Sequence, residues 1–316
     1  MISSKRYFSF IFSLLAIHLF GDSSLRIVTT TGMIGDLVKS VVRGRAEVEV
    51  LMGSGTDPHL YQPSRYDLVA LSKADIIFFN GLYLEGKLSK ILLKIDQAEK
   101  RSIAVAEKAK EEIGDQFIVT KDGYDPHLWM DVSAWMVVLQ VIEDKLSARD
   151  PANSQFYKDN AQQYQKNLFK LDQYAKEVLG SIPERQRILI TAHDAFGYLG
   201  RAYGIEVRGI QGMSTESEAG LYQIEELVRF VVDQKVSAIF VESSVSQKNV
   251  RALIEGAGAK GHLLAMGGEL FSDAMGSEGT YKGTYIGMID HNVTTIARAL
   301  GGKAPAKGFS GMLSLK

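Results

Sequence analysis

Residues 151–180 read PANSQFYKDNAQQYQKNLFKLDQYAKEVLG, and this stretch decides the fold. Pro151 suits the first turn of a helix, and Gly180 followed by Pro183 suits its end. Between them no Gly or Pro interrupts the apolar positions, which recur every three to five residues at Phe156, Ala161, Tyr164, Leu168, Leu171, Ala175 and Val178. The spacing predicts a helix about 44 Å long. Because that is too long for one small domain, we expect a rigid connection between two domains.

Strand patterns and helix patterns alternate on both sides of this helix. The part before it begins with a short apolar strand at Leu25–Thr29. The part after it has predicted strands at Ala238–Glu242 and His262–Ala265 and a helix over 285–300, and we expect the tail at 301–316 to be loosely ordered. Such alternation predicts the α/β class, with parallel strands joined by crossover helices. We therefore expect two α/β lobes with parallel sheets. The predicted organisation is a signal segment at 1–24, an N-terminal lobe at 25–148, a connecting helix at 149–181, and a C-terminal lobe at 182–316.

The N-terminus has the pattern of an export signal. Lys5 and Arg6 precede an apolar stretch from Tyr7 to Phe20. This stretch is shorter than the roughly 20 residues that a membrane span needs, and it matches the basic and apolar regions of a secretory signal. No clear cleavage motif follows, so an uncleaved N-terminal anchor stays an alternative. We expect a periplasmic or otherwise extracytoplasmic protein.

Composition excludes several classes of function. The chain has no cysteine, which excludes disulfides, thiolate metal sites, cysteine nucleophiles and a lipid-modified N-terminal cysteine, so we do not expect a lipoprotein. The formal net charge is −1, and no basic patch for nucleic acid stands out. The G-x-S-x-G and H-E-x-x-H motifs of hydrolases are also missing from the sequence.

Two of the six histidines lie in nearly identical settings, DPHLY at 57–61 and DPHLW at 125–129. Proline fixes its own φ and restricts the residue before it, so His59 and His127 each follow a stiff piece of backbone. Asp57 and Asp125 are placed to bond the local backbone or the second ring nitrogen, a partner that metal-binding imidazoles usually have. These two loops are therefore candidates for metal binding.

A third histidine, His193, lies where a predicted strand ends and a helix begins, which is the edge where open α/β sheets bind ligands. Imidazole is the commonest ligand for Zn²⁺ and also suits related metals. A fourth ligand is expected from the loop GGELFSDAMG at 267–276, which offers Glu269 and Asp273. Spacing alone leaves the choice between these two acids open.

Eight blocks of sequence, spread in order over the chain, resemble the metal-binding receptors of bacterial zinc and manganese ABC transporters, which are periplasmic solute-binding proteins. The blocks are TTTGMIGDLV at 29–38, LMGSGTDPHLYQPS at 51–64, NGLYLE at 80–85, DPHLWMDV at 125–132, ITAHDAFGYLGRAYG at 190–204, FVESSVSQKNV at 240–250, GGELFSDAMG at 267–276 and GTYIGM at 283–288. The resemblance implies two α/β lobes, one long rigid helix, and a metal site in the cleft between the lobes.

The resemblance also implies a ligand set and a function. The metal ligands it implies are His59, His127, His193 and Asp273, and the bound ion is Zn(II) or Mn(II) as a transport substrate. The implied partner is an ABC permease with its cytoplasmic ATPase, and the protein is expected to be a monomer and not an enzyme. Two alternatives are a zinc-dependent hydrolase, which would normally keep one coordination position open, and a surface adhesin with a structural metal site.

The resemblance leaves the identity of the metal open. Residues 107–126 lack the histidine-rich loop that many zinc receptors of the family carry, and position 193 is His where manganese receptors often have Glu. Three imidazoles favour Zn²⁺ in the affinity order of divalent metals, whereas a carboxylate that binds through both oxygens helps Mn²⁺ to expand its coordination.

Overall fold

The computed structural model describes residues 24–121 and 123–314. The predicted signal segment therefore lies, apart from Ser24, outside the described residues. Within the described ranges, no helix has both the length and the apolar character needed to cross a membrane.

The N-terminal lobe is built on a four-stranded parallel sheet with the order β2-β1-β3-β4. Its strands are β1 (Leu25–Thr29), β2 (Ala46–Val50), β3 (Ile76–Phe79) and β4 (Ser102–Ala104). Its helices are α1 (Gly32–Val42), α2 (Arg65–Lys73), α3 (Gly86–Glu99), α4 (Val105–Ile113) and α5 (Val132–Arg149). A two-residue antiparallel pair, β5 (Val119–Thr120) and β6 (Gly123–Tyr124), precedes α5. Strand β3 is buried along its whole length, as expected for a strand covered on both faces.

The long helix α6 spans Ser154–Gly180, which is 27 residues or about 40 Å. A short 3₁₀ turn at Pro151–Asn153 precedes it, so the proline lies just before the α-helix. The predicted rigid helix is confirmed, but it does more than connect. It packs against α1 and α5 on the N-terminal side and against α10 (Tyr285–Ala299) on the C-terminal side.

The C-terminal lobe contains two hydrogen-bonded pairs of parallel strands, β7 with β8 and β9 with β10, and β7 lies next to β9. The strands are β7 (Ile188–His193), β8 (Glu206–Gln211), β9 (Ala238–Glu242) and β10 (Ala265–Leu270). Besides α10, the lobe has the helices α7 (Gly197–Tyr203), α8 (Leu221–Asp233) and α9 (Lys248–Ala259). The two α/β lobes and their parallel sheets agree with the prediction.

Strand β10 is where the sequence prediction was wrong. The strand was expected over His262–Ala265 and instead begins at Ala265 and runs through the pair Gly267-Gly268. Both glycines have a structural reason. A Cβ on Gly267 would lie 2.7 Å from the Phe240 ring, and Gly268 has φ +139 beside an irregularity in the pairing with β9. The glycines therefore permit close strand packing at a place that resembles a loop in sequence.

The C-terminal tail was expected to be loosely ordered, and its described part is held in place. The buried carboxylate of Asp290 accepts hydrogen bonds from the backbone N–H of Phe309 at 2.8 Å and of Ser310 at 3.4 Å. Leu313 is buried as well. The described part of the tail is therefore fixed against one face of α10, although its glycine-rich composition is typical of loosely ordered segments.

One hydrophobic core runs through both lobes. The same cluster of buried side chains contains Ile27 and Trp129 from the N-terminal lobe, Leu168 from α6, and Phe240 and Tyr285 from the C-terminal lobe. Polar contacts support this junction, since Trp129 Nε1 donates to Ser272 O at 2.9 Å and Tyr285 OH donates to Trp129 O at 2.7 Å. The lobes are therefore packed together around α6. The limits proposed for them, 25–148, 149–181 and 182–316, stay predictions.

Candidate metal centre

His59 lies in the loop between β2 and α2. Asp57 Oδ1 accepts a hydrogen bond from the His59 backbone N–H at 2.9 Å, which closes a tight turn around Pro58. The far end of the loop is fixed by a capping box at Ser64 and Asp67 that starts α2. The side chain of His59 is consequently held between two anchored points.

His127 lies just before a 3₁₀ turn at Leu128–Met130. The Asp125 carboxylate accepts from the backbone N–H of His127 at 2.9 Å and is 2.7 Å from its Nδ1. Nδ1 carries the proton in this arrangement, so the lone pair of Nε2 is free for a ligand. Asn80 Nδ2 also donates to Pro126 O at 3.0 Å, which ties this loop to the end of β3.

Buried Glu85 supports the backbone on which both N-terminal histidine loops rest. Its carboxyl accepts from the backbone N–H of Asn80 at 2.5 Å, from that of Gly81 at 3.2 Å, and from Thr30 Oγ1 at 2.9 Å. Burial raises the pKa of Glu85 to about 7, although these hydrogen bonds oppose the shift. The turn that Glu85 organises leads into Gly86, where a Cβ would come within 2.3 Å of the carbonyl oxygen of His59.

His193 is the last residue of β7, and Glu242 is the last residue of the neighbouring β9. The two carboxylate oxygens of Glu242 accept from the His193 backbone N–H at 2.9 Å and face its Nδ1 at 2.5 Å. Both residues are buried. The strands therefore fix the direction of His193 Nε2 as well as its tautomer.

Asp273 follows β10 in a loop whose first part is anchored to α10. Asn292 from α10 bonds both the backbone N–H and the carbonyl of Phe271, at 2.9 Å and 2.7 Å. In contrast to this fixed backbone, both carboxylate oxygens of Asp273 are buried and have no hydrogen-bond partner among the described residues, and the same holds for Nε2 of His193. Buried polar atoms are normally paired, and the chemistry of these three atoms suits the binding of a cation.

The four predicted side chains meet in the cleft between the lobes. Asp273 Oδ2 is 3.2 Å from His193 Nε2 and 3.6 Å from His59 Nε2, and Asp273 Oδ1 is 3.4 Å from His127 Nε2. The Nε2 atoms of His59 and His127 are 3.3 Å apart. A Zn–N bond of about 2.0–2.1 Å gives a tetrahedral ligand set edges of roughly 3.3–3.4 Å. The four distances are close to that edge, and one ligand atom from each residue lies within 4.8 Å of the others, so the cluster is compact enough for one metal ion.

The charges in the cleft also favour a cation. Burial would raise the pKa of Asp273, but the imidazoles of His193, His127 and His59 outweigh burial and hold the pKa well below its usual range. Burial lowers the pKa of His59 to about 3, so its ring is neutral and able to coordinate. Burial acts in the same direction on the pKa of His193, but Glu242 and Asp273 outweigh it and hold that pKa well above its usual range.

The structure distinguishes Asp273 from Glu269, the two acids that spacing alone left as alternatives. Asp273 belongs to the buried group of His59, His127 and His193, whose ligand atoms lie within 4.8 Å of one another. Glu269 lies within β10 and is exposed. The remaining described histidines, His262 and His291, lie away from the cleft. Each forms a hydrogen bond with a backbone carbonyl, of 2.7 Å and 2.8 Å respectively. The sixth histidine, His18, lies outside the described residues.

Sequence reasoning identified the role of Asp125 and missed that of Glu242. Asp125 is close to its histidine in sequence, and the repeated motif gave the signal. Glu242 ends the predicted strand AIFVE at 238–242, and a charged residue at that position was a usable signal. Its partner His193 is 49 residues away, so their contact depends on which strands are neighbours.

The chain is similar to proteins of known family and structure. Residues 27–299 match the model of the ZnuA family, described as a periplasmic component A of the zinc-uptake complex. The manganese-binding lipoprotein MntA of Bacillus subtilis is 42% identical over 281 residues, covering 88% of this chain and 90% of that protein. The zinc-binding protein TroA of Treponema pallidum is 42% identical over 289 residues, covering 90% and 93%.

Solved structures show the same architecture. The periplasmic zinc-binding protein TroA from Treponema pallidum superposes with a TM-score of 0.84 at 42% identity, covering 88% of this chain and 99% of that one. A second structure, described in terms of the metal-binding specificity of TroA, has a TM-score of 0.82 at 32% identity and covers 88% and 100%.

Proposed function

The chain belongs to the ZnuA family of periplasmic zinc-uptake components, and on this premise we propose that it captures Zn²⁺ or Mn²⁺ outside the cytoplasm and delivers the ion to an ABC-type import permease. The observation that carries the proposal is the convergence of three imidazole nitrogens and one unpaired carboxylate in a buried cleft. The ion is cargo in this function, so its binding must be both tight and reversible.

We assign His59, His127, His193 and Asp273 as the ligands of that ion. Their spacing suits tetrahedral coordination, and Asp125 and Glu242 orient two of the rings for it. Two ligands come from each lobe, so the ion bridges the cleft. Members of the family are solute-binding components and not enzymes, which agrees with a site whose four protein ligands fill a tetrahedron. Neither a zinc hydrolase nor an adhesin fits this family.

We propose that the site takes both Zn²⁺ and Mn²⁺. The named relatives include a manganese-binding and a zinc-binding protein at the same 42% identity. Three imidazoles favour Zn²⁺, which lies well above Mn²⁺ in the affinity order. Both oxygens of Asp273 are unpaired in the described structure, so this carboxylate can bind through one oxygen or through two. The second mode raises the coordination number, as Mn²⁺ prefers.

The partner is a membrane permease driven by a cytoplasmic ATPase, as the family implies. We propose that the protein acts as a monomer, because one chain supplies all four ligands. Several relatives are named lipoproteins, but lipid attachment of that kind uses a cysteine thiol, and this sequence has no cysteine. We therefore propose that the protein is exported without a lipid and is held, if at all, by its apolar N-terminal segment.

Release of the ion is expected without a wide hinge motion. The core is continuous through both lobes, and α6 is packed against helices from each of them. Opening the lobes by a large rotation would expose this shared core to water, which is costly in proportion to the apolar area. We propose that small shifts of the loops carrying the ligands open the cleft instead.

Elemental analysis of the protein, purified from the compartment where it functions, tests the proposal directly. The expected result is about one Zn or Mn per chain for the wild type and none for a variant with His127→Ala and Asp273→Ala. Cells that carry only this variant should accumulate less of the same metal. A wild-type protein free of metal, or a variant that supports normal accumulation, would refute the proposed function.

A further inference from the structure

The loop between β8 and α8, residues 212–220, crosses to the opposite lobe at the mouth of the cleft. Most of this loop is exposed, but Thr215 is buried at 8% relative exposure. Its hydroxyl donates a hydrogen bond of 2.5 Å to Asp57 Oδ2 in the N-terminal lobe. The next residue, Glu216, places a carboxylate oxygen 3.8 Å from the Cβ position of Gly86. The loop thus contacts the N-terminal lobe beside His59.

Asp57 links this contact to a proposed ligand. Its Oδ1 accepts from the backbone N–H of His59 at 2.9 Å, while its Oδ2 accepts from Thr215. One carboxylate therefore joins the backbone of the His59 loop to the opposite lobe. A hydrogen bond to a charged acceptor is among the stronger ones in proteins, and this one is shielded from water by the burial of Thr215.

His59 lies on the side of the site nearest to solvent. It is 4% exposed, whereas His127 and His193 are fully buried and Asp273 is 2% exposed. The residue that follows it, Leu60, is 54% exposed. The shortest way for an ion to reach water therefore passes His59.

We propose that the Thr215–Asp57 hydrogen bond is a latch that sets the rate at which the bound ion leaves. Thr215 is a positioning residue in this proposal, acting on His59 through Asp57. With the latch formed, the His59 loop is held against the C-terminal lobe and the ion is enclosed. When the hydrogen bond breaks, the loop carrying His59 is free to move outward with one ligand, and the ion is exposed on that side. The proposal rests on the proposed function, because it concerns the same ion.

The C-terminal lobe anchors its side of the latch independently of any ion. Gln211 Nε2 donates to Ser217 O at 3.3 Å, and the backbone N–H of Asp194, next to His193, donates to Gly212 O at 3.3 Å. The base of the loop is thus tied to the strand end that carries His193. A movement of the loop therefore acts on both halves of the site, on His59 through Asp57 and on the strand end that carries His193.

The test is the rate of ion loss from protein loaded with Zn²⁺ and mixed with excess chelator. Thr215→Val removes the hydroxyl at nearly constant volume and should speed dissociation roughly ten- to a hundredfold, as expected for one hydrogen bond to a charged group. Thr215→Ser keeps the hydroxyl and should restore a rate close to that of the wild type. Ser214→Ala is the matched control, since this neighbouring hydroxyl accepts a hydrogen bond from the Glu216 backbone N–H within its own loop.

Two further measurements separate a latch from a general loss of stability. Metal-free Thr215→Val should melt in one cooperative transition well above the assay temperature, as Ser214→Ala does, so that its faster loss of ion does not come from unfolding. Asp57→Ala should also speed ion loss, and in that background adding Thr215→Val should change the rate no further. Additive effects, or a wild-type rate in Thr215→Val, would overturn the latch and leave the proposed function standing. A wild type that retains no Zn²⁺ would overturn both.

Discussion

Glu242 should control metal affinity although it is not among the four proposed ligands. Its carboxylate accepts two hydrogen bonds from one residue, from the backbone N–H of His193 at 2.9 Å and from its Nδ1–H at 2.5 Å. We predict the effect of Glu242→Gln, which preserves the size of the side chain. An amide has one accepting oxygen and one donating nitrogen, so it cannot accept from both groups at once.

Both orientations of the new amide are unfavourable for metal binding. If its oxygen faces Nδ1–H, its NH₂ group opposes the backbone N–H of His193, and a buried donor is left unpaired. If its oxygen faces the backbone, its NH₂ group donates to Nδ1 and moves the ring proton to Nε2, the atom that would bind the ion. Loss of the negative charge also makes Nε2 a weaker base.

The expected loss of affinity is about ten- to a hundredfold, the range for removing such a partner of a metal-bound histidine. This corresponds to roughly 1.4–2.7 kcal/mol of binding free energy. Competition against a metal-sensitive dye measures it for Zn²⁺ and Mn²⁺ separately. Glu269→Gln is the matched control, because Glu269 lies on the neighbouring strand β10 but is exposed. Equal affinity of Glu242→Gln and wild type would refute the reasoning.

Three other outcomes are expected. Asp273→Ala or His193→Ala should abolish the rise in melting temperature that metal produces, since a ligand that binds only the folded state stabilises it; an unchanged rise would contradict the assignment. The raised pKa of His193 means that a proton occupies the metal-free site, so Zn²⁺ affinity should increase with pH. The stability that this proton adds to the metal-free protein should be lost as the pH rises above about 6.5 through the raised pKa. Dye competition at several pH values checks the first effect, and melting curves check the second. Leu168→Ala, at a buried position of α6, should lower the free energy of unfolding by about 2–5 kcal/mol, while the adjacent Phe169→Ala, 57% exposed, should have little effect in the same denaturant titration.

Local chemistry made most of the fold predictable. The apolar spacing in α6 needs no knowledge of its neighbours, since burial on one face produces it. The strand AIFVE at 238–242 was predicted with the bounds it has in the structure. Strand β10 was missed because Gly267 permits a close approach to Phe240 and Gly268 adopts φ +139, and neither reason can be read from the sequence of one segment.

The candidate site also has a part that was predictable from local sequence and a part that was not. The two Asp-Pro-His motifs indicated both histidines and the acids that bond their backbone N–H groups, because those partners are only two residues apart. Asp125 also faces the ring of its histidine. Glu242 and Thr215 carried no comparable signal. Their contacts to His193 and Asp57 span 49 and 158 residues, and they exist only because strands and lobes pack side by side.

The sequence by itself determined the class of fold, the rigid helix and the residue types that suit a divalent metal, since each follows from local spacing and side-chain chemistry. The tertiary structure alone decided that His59, His127, His193 and Asp273 meet in one buried cluster. It also decided that Glu242 contacts His193 and that Thr215 contacts Asp57. The physical reason is distance along the chain. A metal site needs several charged and polar groups fixed within a few ångströms, and only the packing of two lobes around α6 holds such remote residues together.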